Sequence, residues 1–335
     1  MNLKRLLLDK IASEGPLTIA EYMSLCLRHP EFGYYTTRNP FGAKGDFVTA
    51  PEISQLFGEM LGAWVLGVLQ QIDVSRSAAL VELGPGKGTM MADILRIIRK
   101  YPVYDSLTIH MVEISPTLEK LQRENLAEHL GKISWHRNIE TLPEMPMIIL
   151  ANEFFDALPI QQFSGKNEVM VAAKNSDFYF TRTEGDISES SPESIEIVKS
   201  LGSKIIKNSG AMLVIDYGYS EPSGKSTLQA VKNHKFHDFL EGPGTADLTA
   251  HVNFSDLQVA AEKQGLKVSS VVTQKIFLEN MGIRMRAEML KKNASNSQGQ
   301  EIDSALARLL DADKMGELFK VMAAVSPNIQ EVPGF

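Results

Sequence analysis

An apolar run, a carboxylate and three alternating glycines follow one another in V-E-L-G-P-G-K-G-T, residues 81–89, and no other stretch constrains the fold as tightly. Residues 78–83 are short and mostly apolar, as a buried parallel strand requires, and residues 89–100 repeat apolar side chains at helical spacing through Met90, Ile94, Leu95 and Ile98. Gly84, Gly86 and Gly88 therefore stand where a strand turns into a helix. Glycine there adopts positive φ and lets a ligand reach the bare backbone, and the amides at the helix start face the crevice beyond the strand's carboxyl end. A turn chosen only for tight strand-to-helix packing is the plainer explanation of the same glycines.

Spacing separates the cofactor loops that compete for this string. A phosphate-cradling loop of the form G-x-x-x-x-G-K-[ST] fails, because Val81 stands where its first glycine belongs and Gly88 where its hydroxyl belongs. A dinucleotide fingerprint G-x-G-x-x-G is weak, because the third glycine comes one residue early and Pro85 separates the first two. The string resembles the E-x-G-x-G-x-G loop of S-adenosylmethionine-dependent methyltransferases. That resemblance assigns cofactor contacts to Glu82, Gly84, Pro85, Gly86, Gly88 and Thr89. A second carboxylate ends the next apolar run, L-T-I-H-M-V-E-I at 107–114, just before a helix opened by Ser115 and Pro116. Glu113 at that place suits a helix dipole, or it accepts both hydroxyls of a ribose; with the glycine loop beside it, ribose is favoured.

The chain of 335 residues is long enough for one enlarged α/β domain or two smaller ones. Its net charge of −7 disfavours a broad basic footprint for nucleic acid. Cys26 is the single cysteine, in an apolar helical run, and reads as a small buried hydrophobe. The opening residues turn charged too soon for a secretory leader and no run reaches membrane-spanning length, so no membrane insertion and a cytoplasmic location are expected. The seven histidines show no compact ligand spacing with acids beyond His234 and His237, which read as a solvated loop, so no metal is expected.

Residues 1–50 read as a helical preface with Thr18 and Glu21 as a capping box, followed by an aromatic, Gly/Pro-rich loop at 32–51 that is either a linker or a lid. Residues 51–335 read as the main domain, with insertions near 160–207 and 275–315. Strands at 79–83, 107–113, 132–135 and 147–151 alternate with helices, the pattern of an α/β fold with a mostly parallel, Rossmann-like sheet covered on both faces. Antiparallel strands are expected at 160–163, 168–174 and 177–182 and a solvated loop at 184–194. A helix near 193–207, a strand at 210–217, an irregular Gly/Pro region to about 253 and a helix at 256–264 follow. The chain then ends on a strand at 266–272, a mostly helical 279–318 and a last strand at 319–325.

The fourth of these strands ends in A-N-E-F-F-D-A-L-P, residues 151–159. Residues just past a central strand face the same crevice as the glycine loop, so Asn152, Glu153 and Asp156 are the candidate catalytic residues; helix capping is the competing account of all three. Phe154 and Phe155 either wall that pocket or belong to the core.

Taken with G-D-F-V-T-A-P-E-I-S, I-D-Y-G, A-D-L-T-A-H-V-N-F-S, F-L-E-N-M-G-I and the closing M-G-E-L-F-K-V-M, these motifs make nearly the whole chain similar to the MidA-type methyltransferases. The resemblance implies a class I methyltransferase fold, S-adenosyl-L-methionine in the glycine loop, and a protein arginine on the 49 kDa-type subunit of respiratory complex I as the acceptor. A guanidinium stays protonated and offers a planar fork of donors, so carboxylates on two of its edges can orient the third nitrogen. Glu153 and Asp156 suit that clamp, with Asp46 or Glu52 as further contributors. A small-molecule or RNA methyltransferase, and an assembly factor that binds the cofactor without catalysis, are the alternatives.

Overall fold

Strands that are apolar on both faces need helices on each side, and such strands dominate a central sheet of nine among the described residues, of which six form the main body. They are β1 (Ala78–Leu83), β2 (Leu107–Val112), β3 (Ile133–His136), β4 (Met147–Asn152), β5 (Gly210–Tyr219) and β6 (Phe319–Val325). A computed structural model describes residues 2–37, 49–73, 77–182 and 185–335. The spatial order is β6-β5-β4-β1-β2-β3, parallel throughout except for β6, which runs antiparallel to β5. Chain order reverses between β1 and β4, and an open sheet has its ligand crevice at such a switch point, beyond the carboxyl ends of the strands.

Alternation along the strands sorts the core into two layers. Leu80, Ile148, Leu150 and Leu213 join Trp64, Ile94 and Leu309 on one face. Val81, Ile149, Met212 and Val214 join Val198, Leu201 and Leu257 on the other. The expected α/β architecture is found, with helices Gln55–Leu69 and Thr89–Ile98 on the first face and Pro192–Asn208 and Phe254–Lys263 on the second. A third core forms away from the sheet. Helix Ile19–Arg28, opened by the expected capping box in which Thr18 and Glu21 bond reciprocally, buries Ile19, Tyr22 and Met23 there against Val171, Ala230 and Leu248.

Several boundaries differ from expectation, each because tertiary pairing outweighs local pattern. The Glu/Ser-rich stretch holds a strand, Ile187–Ser190, paired antiparallel with Gln161–Ser164. The region read as irregular up to residue 253 contains a three-stranded sheet of Gln229–Lys232, Lys235–Phe236 and Asp247–Thr249. Its tight turn places Asn233 at φ 52° and His234 at φ 60°, left-handed positions that Asn and His tolerate better than most side chains. The strand expected at 266–272 is split into Lys267–Val268 and Val272–Thr273, both on β6, and the helical tail is broken into Gln274–Asn280, Ile283–Lys291, Asn296–Leu310 and Met315–Leu318.

Candidate active site

The turn after β1 is left-handed at all three glycines, with φ of 59° at Gly84, 54° at Gly86 and 79° at Gly88. At Gly84 space is also tight, since a Cβ would stand 3.0 Å from Cδ2 of Phe154. Gly88 then becomes the N-cap of helix Thr89–Ile98. Gln122, wholly buried on the next helix, fixes the loop from behind: its Nε2 donates to the Gly86 carbonyl at 2.8 Å and to Oε2 of Glu113 at 3.1 Å, and its Oε1 accepts from the Trp135 indole at 2.9 Å. Nothing in the sequence marks Gln122, a polar residue in an amphipathic helix.

Glu113, one residue past β2, also accepts from the Ser115 amide at 2.8 Å, and burial pushes its carboxyl up to about 7 against the pull of these hydrogen bonds. The Ser115 amide, Gln122 and the Ile114 amide thereby take up part of the acceptor capacity of the carboxylate, and the rest is left at the cavity it lines. Glu82 is buried at the end of β1 with Oε2 meeting no donor among the described residues. Burial, then the charge of Glu113, holds its carboxyl well above the ordinary range.

Thr89 and Lys87 serve a different neighbour. The Thr89 hydroxyl and the Lys87 ammonium, the latter at 2.9 Å, both donate to Glu52, which ties the loop to helix Ala50–Ile53. Glu52 is engaged there and does not line the cavity described below. Asp46 and most of the loop at 32–51 lie outside the described residues.

The segment after β4 makes a turn rather than a helix. Glu153 sits at φ 50°, a left-handed position that costs a residue with a side chain about 1–2 kcal/mol. It is held by its own amide, which donates to the Ile215 carbonyl at 2.9 Å, and by Oε1, which accepts from the Ala50 amide at 3.0 Å and from Asn152 at 3.3 Å. Asp216, on β5 and fully buried, receives the amides of Phe154, Phe155 and Asp156 on one oxygen at 3.1, 3.0 and 3.3 Å. The side chain that shapes this turn is therefore the aspartate of I-D-Y-G. Burial raises its carboxyl, the charges of Asp156 and Glu153 push the same way, and the amide bonds oppose. Capping, the competing account of Asn152, Glu153 and Asp156, finds no helix here to cap.

Asp156 is 7% exposed; Oδ2 accepts the Tyr217 hydroxyl, while Oδ1 has no donor among the described residues. Burial moves Asp156 up to about 6 and Glu153 up to about 7. Both line one cavity of about 970 Å³, together with Gly84, Gly86, Glu113 and Phe154. The crevice thus brings together five of the anticipated residues. Pro85, Gly88 and Thr89 belong to the loop but not to the cavity wall, and Glu82 and the buried Asn152 stand behind it. Phe154 faces the cavity, whereas Phe155 is buried in the second core layer. Further lining, unanticipated, includes Tyr35, Tyr217, Gln229, Asp247 and His251. Such a space, bare backbone and ribose-compatible carboxylate at one end and an acidic, tyrosine-rich recess at the other, suits two ligands side by side.

Comparison with known proteins shows the family. Residues 60–272 match the family described as "Putative S-adenosyl-L-methionine-dependent methyltransferase". The Homo sapiens protein named protein arginine methyltransferase NDUFAF7, mitochondrial, is 36% identical over 366 residues, spanning 95% of this chain and 82% of its own. Its Danio rerio counterpart is 35% identical over 364 residues, spanning 96% of this chain and 86% of its own. A crystal structure of a Burkholderia thailandensis protein bound to S-adenosyl-homocysteine aligns with a TM-score of 0.85 at 27% identity, covering 99% of this chain and 93% of that one. The fold is that of class I methyltransferases. These relatives also correct the cytoplasmic location expected from the sequence, because the two named relatives are mitochondrial proteins. Charge and hydropathy are alike in many aqueous compartments and carry no address.

Proposed function

Because this chain belongs to the family of S-adenosyl-L-methionine-dependent methyltransferases and uses that cofactor, we propose that it is a protein arginine N-methyltransferase whose acceptor is the 49 kDa-type subunit of respiratory complex I, modified during assembly. The observation that carries the arginine reading is Asp156: a carboxylate buried in the cavity wall, bonded through one oxygen to Tyr217 and with the other oxygen unmet by any donor among the described residues. A buried acceptor of that kind costs about 1–3 kcal/mol unless a ligand supplies the donor. The resemblance of relatives named as protein arginine methyltransferases points the same way.

The cofactor fits what the chain presents. Gly84 and Gly86 leave the backbone bare at the cavity, and Glu113 keeps acceptor positions for the ribose hydroxyls. Glu82, buried behind Glu113 with one oxygen unmet by any donor among the described residues, and Pro85, Gly88 and Thr89, through the shape of the turn, complete the cofactor end. When bound, S-adenosylmethionine supplies an electrophilic methyl on a sulfonium, an excellent leaving group, so positioning is the main demand on the protein. In this reading Glu153 and Asp156 accept from two edges of the guanidinium and leave the third nitrogen directed at the cofactor end. Their charges draw positive charge from that nitrogen as it attacks, and one of them takes the proton it releases. Asn152 holds Glu153 in place. The antiparallel addition near 160–182, with the described part of the aromatic loop that carries Tyr35, forms the docking surface for the acceptor in this scheme.

The test is incubation of the purified protein and methyl-labelled cofactor with the isolated 49 kDa-type subunit, with its Arg-to-Lys variants and, in parallel, with bulk RNA. Label on arginine that disappears in one Arg-to-Lys variant is the expected result. Label in RNA, or cofactor binding with no transfer to any protein, would replace the proposal by one of its alternatives.

A further inference from the structure

The small sheet of Gln229–Lys232 and Asp247–Thr249 stands between the third core and the cavity, and its alternation separates the two. Ala230 and Leu248 are paired across it and face the third core, while the pairs Gln229 with Thr249 and Val231 with Asp247 all line the cavity. The sheet thus exists as a wall, apolar behind and mostly polar in front. On that front face Asp247 is 6% exposed and accepts the Tyr35 hydroxyl at 2.7 Å. On the adjoining turn after β4, whose Asp156 carbonyl accepts the Ala250 amide at 3.0 Å, the Asp156 carboxylate, 7% exposed, also accepts a tyrosine hydroxyl, that of Tyr217, and its Oδ1 meets no donor among the described residues. The two pairs belong to one recess, for after burial the charges of Asp247 and Asp156 both raise the Tyr35 hydroxyl.

We propose that Asp247 is an acceptor-binding residue, which with Asp156 forms a two-sided carboxylate slot for a planar cation of the guanidinium class, each carboxylate oriented by its own tyrosine. The inference rests on the arginine reading above and deepens it: Asp247, on an element outside the minimal methyltransferase fold, flanks with Asp156 one edge of the acceptor, while Glu153 keeps the other. Two carboxylates fixed on separate elements match a planar fork of donors better than an ammonium, which bonds as a point charge. Tyr35, from the short helix Tyr34–Thr37, uses one acceptor position of Asp247 and fixes the carboxylate plane, so Tyr35 is a positioning residue. The sheet also explains why a chain with this crevice carries the motif A-D-L-T at 246–249, to which the cofactor end gives no role.

Calorimetric titration of the S-adenosylhomocysteine-loaded protein with acetyl-arginine amide, and with acetyl-lysine amide as the control cation, tests the slot without requiring any reaction. The arginine probe is expected to bind the wild type in preference to the lysine probe, and Asp247→Asn is expected to weaken it about tenfold or more. Asp247→Glu should recover part of the loss, and affinity for S-adenosylhomocysteine, which is held at the other end, should stay unchanged in both variants and certify that they are folded. Equal arginine affinity in wild type and Asp247→Asn would overturn the assignment of Asp247 and leave the arginine reading standing. No preference for the arginine probe in the wild type would overturn the slot itself. The arginine reading is decided separately, by label transfer to the isolated subunit, so the two can fail independently.

Discussion

Gln122 reaches from its helix to the carbonyl of Gly86 and donates to it at 2.8 Å, joining the helix after β2 to the glycine loop after β1. The same amide nitrogen bonds Glu113, so one buried side chain sets the separation between the loop and the carboxylate. Gln122→Leu keeps the volume and leaves the Gly86 carbonyl without its donor, at a cost of about 1–3 kcal/mol. Expected results are a lower thermal midpoint and weaker S-adenosylmethionine binding. Lower stability with unchanged cofactor affinity would reduce Gln122 to a purely structural residue.

Glu113→Ala removes the carboxylate offered to the ribose. Cofactor affinity should fall by about 1.5–3 kcal/mol, the worth of hydrogen bonds to a charged group, with the fold retained. Calorimetry on the purified variant reads this directly, and an unchanged dissociation constant would remove Glu113 from the cofactor end.

Gly84→Val meets two obstacles at once. Its φ of 59° is unfavourable to a branched side chain, and its Cβ would stand 3.0 Å from the Phe154 ring that lines the cavity. We expect loss of cofactor binding together with lower stability, whereas Gly131→Ala, where a Cβ would meet nothing within 4 Å, serves as a neutral control in the same unfolding and binding measurements.

Glu153→Gln and Asp156→Asn preserve shape and remove charge. Both should bind S-adenosylmethionine as the wild type does and lose most methyl transfer, because the guanidinium loses an ionic edge. Near wild-type turnover in both variants would place the acceptor elsewhere.

The pH dependence follows from burial. Asp156, raised to about 6, and Glu153, raised to about 7, must both be ionised to hold a guanidinium, so kcat/KM should climb through pH 6–7, and Glu153→Gln should not show the upper part of that climb. Stability moves the opposite way. Glu113 is raised from 4.5 to about 7 on folding, so the folded state binds the proton more tightly. Its contribution is present below about pH 4.5 and is lost as pH rises through about 7. The thermal midpoint of the cofactor-free protein should therefore drop between pH 5 and 7.5 more in the wild type than in Glu113→Gln.

The glycine loop, Glu113 and the run of central strands were legible in the sequence because each rests on local physics: positive φ that selects glycine, apolar runs that mark strands buried on both faces, and an acid placed at a strand end. Motif resemblance extended that reading to the family and the cofactor. The sequence by itself therefore determined the alternation of strands and helices, the main strands of the sheet and the glycine turn that ends the first of them. The acceptor end was decided only by the tertiary structure. Asp216 shapes the turn of Phe154 to Asp156 from a strand about sixty residues away, Tyr217 takes one oxygen of Asp156, and Asp247 meets Tyr35 across 212 residues. The sheet that carries Asp247 was hidden because Gly- and Pro-rich stretches show no period, and its strands form only by pairing with one another over a third core. Such contacts leave no spacing in the chain: a buried hydrogen bond fixes two side chains in space whatever number of residues lies between them.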